Sequence, residues 1–389
     1  MSTIAAAGSV AAVRRGSART SGALSAAGLA TRGPAGTRTL LVSMDRFRQQ
    51  SANFGVFSRP GEPVSVSQHT DLLELDTLGL LEGVWRQVVH GLPRAAGSFT
   101  ASVAAVDPGE LTGLPGVEQV LALRRIRDEA TSGRWDKVVV DCSGDIDVFT
   151  LLNAPRLLVD HLERLWPRHR RLAAAHDNPR IARAVAAVEA LDRDCADVTE
   201  LCTDPDVMAA QLVVTPDDHG VRMAQRYRAV LDLMTIPTVA VYANRADTDE
   251  PGHRSALARL GEIGPVPVIA VTALATPPAT VAALRKLKTR FAAPAGVPVG
   301  PAAAHVDKLG GSGLQSRYAM RWRQPLPDPD GLALGRSGDD LLVTVCGLRR
   351  TVRLPSVLRR CIVDGATYSD GELRIEFRPD AAVWPVRGV

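Results

Sequence analysis

Three apolar runs in this 389-residue sequence end on polar side chains: TLLVSMD on Asp45, KVVVD on Asp141 and TVAVYAN on Asn244. Ligands of parallel α/β sheets sit beyond the C-terminal strand ends, so such residues can face a magnesium ion, its water or a bound molecule. Taken singly, each is equally a turn or helix-capping residue. Upstream, Gly16-Ser17-Ala18-Arg19-Thr20-Ser21 has the outline of a phosphate-binding loop. That chemistry needs glycine where backbone wraps phosphate, a basic group for the β/γ oxygens and a hydroxyl for magnesium. Here Ala18 adds a methyl at a glycine position, and Arg19 puts a long planar cation where a compact lysine is usual.

The stretch around this loop, AAVRRGSARTSGALSAAG, has a rival reading. No Asp or Glu occurs before Asp45, as in an Arg/Ser/Ala-rich transit peptide or tail. A worn phosphate loop is preferred, because removing the stretch would strip a strand and a helix from the domain.

Cys195 and Cys202 lie seven residues apart and would share one helix face, a possible soft-metal or metalloid pair. Two thiols without a third ligand are better read as packed or partly exposed side chains. His161, His169 and His176 follow at spacings of eight and seven residues and read first as a solvated basic face.

The elements that must position these groups follow from pattern. KVVVDC (137–142), QLVVTP (211–216), TVAVYAN (238–244) and VPVIAV (266–271) join TLLVS (39–43) as continuous Val/Ile/Leu runs. Such runs suit strands buried on both faces. Helix-like segments at 117–130 and 219–234 lie between them, which implies a mostly parallel sheet covered on both sides. Residues 157–201 are Arg-, Ala- and Leu-rich without a strand signal, and read as a helical insertion. The segment 292–330 is Pro/Ala/Gly-rich and reads as a linker. Residues 331–380 show short β runs with turn signals such as YSDGE, a small all-β module. Residues 1–291 then form the α/β domain.

Composition narrows the partners. Hydrophobic residues make up 46% and charged residues 23% of the chain, ordinary globular usage. A net charge of +4, with no basic run interleaved with aromatics, argues against nucleic acid. No apolar run approaches the roughly 18 residues of a membrane span. Five scattered cysteines suit a reducing cytoplasm better than a disulfide framework.

In order along nearly the whole chain, several stretches resemble one family, the ArsA-like ATPases. RTLLVSMD resembles the strand leading to its first switch, usually followed by Pro-Ala-His. LLELDTLGLLEGVWR, ELTGLPGVEQVLAL, WDKVVVDCSGDIDVFTLLNAPRLL, TDPDVMAAQLVVTPDDHG and IPTVAVYANR resemble its later blocks. GPVPVIAVTALA is a looser match, and residues 339–377 resemble the α-crystallin-like β domain of many bacterial members.

That resemblance implies a P-loop NTPase-type fold, ATP and magnesium as ligands, and a dimer with nucleotide at the shared interface. In register, Arg14 takes the place of the family's signature Lys, which reaches across that interface, and Gly16 that of a loop glycine. Arg19 takes the place of the second Lys, and Thr20 matches the magnesium-holding Thr. Asp45 matches the first-switch Asp that orients attacking water, but Arg46-Phe47-Arg48 replaces Pro-Ala-His. Asp141 matches the magnesium-facing carboxylate, while Gly144-Asp145-Ile146-Asp147 replaces Pro-Thr-Gly-His and its acids would repel a γ-phosphate. Asn244 matches an adenine contact. The expected function is that of a cytoplasmic regulatory or assembly subunit with weak or no ATP hydrolysis, in a homo- or heterodimer with an intact sibling. Two alternatives are an active but slow ATPase, with Arg14 and Arg19 in the lysines' roles, and a nucleotide-independent protein that binds clients.

Overall fold

The computed structural model describes residues 3–9, 36–91, 102, 105–113, 116–142, 147–177, 179–244, 252–272, 280, 283–284, 304–323 and 331–384. Its larger sheet has eight strands: β1 (Thr3–Ser9), β2 (Thr39–Ser43), β3 (Val64–Ser67), β4 (Thr70–Glu74), β5 (Lys137–Cys142), β6 (Met208–Val214), β7 (Thr238–Asn244) and β8 (Val268–Val271). They lie in the order β3-β4-β2-β5-β1-β6-β7-β8, and every described pairing is parallel except β3 with β4. The inner Val/Ile/Leu runs are buried, with β2 and β6 buried along their whole length, whereas the edge strand β8 is buried only at Val271. The centre of the sheet is β1, TIAAAGS, whose run of small residues after Ile4 lacks the continuous branched signal that marks the other inner strands.

Eight helices among the described residues connect and cover the strands: α1 (Gln49–Phe54), α2 (Thr77–Gly91), α3 (Val117–Thr131), α4 (Val148–Leu165), α5 (Arg168–Asp177), α6 (Pro179–Thr203), α7 (Asp218–Leu233) and α8 (His253–Glu262). Helix α3 starts at Gly116, whose φ of 85° is in the left-handed region that favours glycine. Helix α7 starts at an Asp217 cap, and Gly220 lies so close to the Thr215 carbonyl that a Cβ there would collide with it. Both are sequence features that the family blocks above already contained.

The helical stretch between β5 and β6 starts earlier than residue 157 and runs from Val148 to Thr203. Leu151 and Leu152 of α4, with Val198 and Cys202 of α6, belong to the main hydrophobic core. Arg171 of α5 is completely buried; it donates to Glu189 Oε1 at 2.8 Å, Asp192 Oδ2 at 2.9 Å and the Trp166 carbonyl at 2.8 Å.

The C-terminal strands form two antiparallel sheets. Strands β14 (Cys361–Ser369), β15 (Glu372–Pro379), β10 (Arg317–Arg323) and β9 (His305–Gly310) make one; β11 (Leu332–Ser337), β12 (Asp340–Val345) and β13 (Leu348–Arg353) make the other. In β12 burial alternates residue by residue, the period of a strand with one face on a core. The YSDGE signal is a two-residue hairpin turn, with Asp370 and Gly371 both at positive φ. One expectation changes: β9 and β10 fall inside the stretch 292–330 read as linker. Its Pro/Gly signals sit on either side of two strands, and the strands' exposed, charged faces mute their hydrophobic pattern. Among the described residues, no helix is long and apolar enough to cross a membrane.

Candidate functional site

The strand register gathers the first two polar strand ends at one edge. Ser43 of β2 and Ala7 of β1 both stand opposite Asp141 of β5. Asp45 follows two residues after Ser43, and β1 ends at Ser9 beside the same edge. Asn244 ends β7, three strands from β5 through β1 and β6. At about 4.8 Å per strand that is a sideways offset of about 14 Å, and because Asp141 is level with Ala240 in the register, Asn244 also stands four residues, about 13 Å, further along its strand. The chain crosses from one side of β1 to the other between β5 and β6, which makes this edge the place where strand order reverses and α/β folds bind ligands.

Asp141 is completely buried. Its Oδ2 accepts a hydrogen bond from Gln50 Nε2 of α1 at 2.9 Å. Burial pushes the carboxyl up to about 7; the nearby charge of Asp45 raises it further, while the Gln50 bond opposes the shift. The adjoining Cys142 thiol is pushed up to about 12 by burial and by Asp141. Among the described residues, Asp141 Oδ1 and Gln50 Oε1 are buried without a hydrogen-bond partner. An orphaned carboxylate oxygen at the ligand edge suits a hydrated magnesium ion, which keeps several waters and uses one or two carboxylates. Asp141 therefore fits the metal-facing role.

Asp45 has a different occupation. Its Oδ1 accepts from the Phe47 amide at 2.9 Å and its Oδ2 from the Gln49 amide at 3.3 Å, closing the turn into α1. Arg48 sits in that turn at φ 54°, the left-handed region, where a non-glycine residue is uncommon. Its guanidinium pairs with buried Glu74 at 3.3 Å and with the Ser58 carbonyl, and Glu74 Oε1 accepts from the Ser51 amide at 2.9 Å. Two buried carboxylates, Asp141 and Glu74, thus hold the six-residue α1.

Sequence reasoning missed Gln50 and Glu74. In RFRQQSANF nothing distinguishes the one glutamine that turns inward. Glu74 ends the LLE run of β4 just as Asp141 ends KVVVD, so the strand-end rule could have found it. Asp147 caps α4, accepting from the Phe149 and Thr150 amides at 3.0 and 3.2 Å. Arg14, Gly16, Arg19, Thr20 and Asp145 lie outside the described residues. Cys195 and Cys202 both face packed interior, not partial exposure. Burial leads in raising their thiols, to about 11 and about 12.

Residues 16–258 match the anion-transporting ATPase family, and residues 315–377 match the HSP20-like domain found in ArsA. The chain belongs to the ArsA-like ATPase family. Protein Rv2184c of Mycobacterium tuberculosis is 37% identical over 386 residues, covering 90% of this chain and 91% of that protein. Protein SCO2128 of Streptomyces coelicolor is 32% identical over 371 residues, covering 90% and 92%. A candidate arsenical pump-driving ATPase of Chlorobaculum tepidum is 23% identical over 222 residues, 54% of each chain. The parallel core and the C-terminal antiparallel sheets are therefore the ATPase and HSP20-like units of one ArsA-like chain. The family match begins at Gly16, after the central strand β1, so the structure adds a strand that the match leaves out.

Proposed function

We propose that this ArsA-like protein is a regulatory or assembly subunit with weak or no ATP hydrolysis, acting in a cytoplasmic dimer with an intact sibling. The observation that carries the reading is Gln50 on Asp141. The carboxylate that would face magnesium has one oxygen engaged by a buried amide and is driven toward its neutral form. Three further departures point the same way. Ala18 and Arg19 replace the loop's glycine and lysine. Asp45 has both carboxylate oxygens accepting from backbone amides, which ties it to the turn into α1. Arg46-Phe47-Arg48 replaces the switch sequence and ties it to Glu74.

The residues that would hold the ligands are Thr20 and Asp141 for magnesium, Gly16 and Arg19 for the phosphates, and Asn244 for the base. Bound magnesium would neutralise phosphate charge. Asp141 Oδ1 would face it, and Asn244 of β7 lies beyond β1 and β6 from Asp141.

Turnover and binding, measured separately on the full chain, test the reading. Binding of a fluorescent ATP analogue with multiple-turnover hydrolysis near background is expected. Hydrolysis by the chain alone at an ordinary kcat, of order 1–10³ per second, overturns it. The second reading is a slow ATPase. It is favoured by the retained Asp45 and Asp141, and by an oxygen of Asp141 that remains available.

A further inference from the structure

Helix α1 has a single buried residue, and it is polar: Gln50. A glutamine offers two N–H donors and one acceptor oxygen. One N–H is used on Asp141 Oδ2 at 2.9 Å, while among the described residues Gln50 Oε1 and Asp141 Oδ1 have no partner. With Asp141 ionised, both orphans are acceptors, and they belong to two side chains already bonded to each other. Buried polar atoms are ordinarily satisfied, so this pair calls for a donor. Neither a second acceptor nor an anion can serve. A water, and above all a water polarised by a cation, can serve both oxygens, and the charge of Asp45 favours the cation.

The same helix is held at its other side by Glu74, through the Ser51 amide and the Arg48 guanidinium. Phe47, before α1, and Phe57, after it, are exposed by 67% and 84%. A change at the Asp141 tether, with Glu74 as the fixed point, would move the segment that carries both aromatic rings.

We propose that Gln50 is a positioning residue that couples cation arrival at Asp141 to the surface segment 44–58. Without a cation, the amide holds Asp141 and α1 together. When a hydrated divalent cation engages Asp141, its waters donate to Asp141 Oδ1 and Gln50 Oε1, the direct bond is loosened, and α1 repositions with Phe47 and Phe57. This rests on the reading of Asp141 as the metal-facing carboxylate.

The full chain is examined by hydrogen–deuterium exchange over 44–58 with and without MgCl2, and its cation affinity is measured by the electron paramagnetic resonance of free Mn2+. In the wild type, magnesium is expected to change exchange in 44–58. Gln50→Leu should still bind Mn2+ through Asp141 and lose that exchange response. Gln50→Met, which keeps length and flexibility, replaces it where the leucine variant does not fold. Mn2+ binding that Asp141→Asn abolishes, together with an exchange response that survives in the Gln50 variants, overturns the coupling and leaves the metal-facing reading standing. Mn2+ binding indifferent to Asp141→Asn overturns both.

Discussion

Gln50 Nε2 and Asp141 Oδ2 are 2.9 Å apart at the C-terminal edge of the parallel sheet, and both side chains are buried from solvent. A carboxyl group with a folded value of about 7 and an ordinary value near 3.8 keeps its proton in the fold while the unfolded chain releases it. The unfolded state then binds fewer protons between these values, so stability falls as pH rises from about 4 to about 7. The shift of about three units corresponds to at most about 4 kcal/mol lost by pH 8. Asp141→Asn keeps an acceptor for Gln50 and removes the ionisation. Without divalent cations, its melting temperature should exceed the wild type's at pH 8 and match it near pH 4. A parallel offset at both pH values would show that the carboxyl does not titrate in this range.

A second prediction concerns the helical layer. Arg171 is fully enclosed and satisfied by Glu189, Asp192 and the Trp166 carbonyl. Removing one member of a buried pair leaves uncompensated charge and typically costs about 3–5 kcal/mol. Arg171→Ala should lower stability by that order in urea melts, with Glu189 still partly served by Arg168 at 2.9 Å. The double variant Arg171→Met with Glu189→Gln should recover part of the loss. A single-variant loss below about 1 kcal/mol would mean that the helices do not depend on this cluster.

The thiols give a third. Cys142, Cys195, Cys202 and Cys361 are buried, and Cys346 is exposed in the β12–β13 turn. The thiolate is the reactive species, and burial raises every one of the four enclosed thiols. A native chain treated with a disulfide reagent should titrate one thiol quickly, and all five only in denaturant. Serine at both Cys195 and Cys202 buries two hydroxyls among Val120, Ala154 and the main core, at about 1–3 kcal/mol each, whereas alanine should cost less. Rapid native reaction of Cys195 or Cys202 would mean that α6 opens readily.

What the sequence made legible was governed by how each residue's environment is encoded. KVVVDC and TVAVYAN announce strands buried on both faces because branched apolar residues cluster there and polar ones stop them. TIAAAGS is more central than either, yet its small residues carry no such mark; its neighbours β5 and β6 define it. Asp141 was found because it ends a run. Gln50 was not, since its inward turn depends on a six-residue helix held from outside by Asp45, Arg48 and Glu74. The cysteine spacing gave the shared face of α6 correctly, but whether that face meets solvent or core is a property of the packing of α3 and α4 against it.

The last prediction concerns Arg14. The chain leaves β1 at Ser9, at the edge where Asp141 and Asp45 stand, and Arg14 follows five residues later. In the family register this is the position of the lysine that reaches the partner's nucleotide. An arginine can do in trans what its own loop, with Ala18 and Arg19, is poorly built to do in cis: stabilise charge on a transferring phosphoryl group. Such arginine fingers raise rates by about 10³–10⁵. Mixed with a sibling that has an intact Lys-Gly-Gly-Val-Gly-Lys-Thr loop, the chain should stimulate the sibling's ATP turnover. Arg14→Ala should abolish that stimulation, and Arg14→Lys should keep part of it, because the charge survives without the planar fork. Arg19→Ala should leave the stimulation intact, since Arg19 belongs to the chain's own loop. Turnover by the chain alone that depends on Arg19 and ignores Arg14 would reject the donor role and establish the slow-enzyme reading.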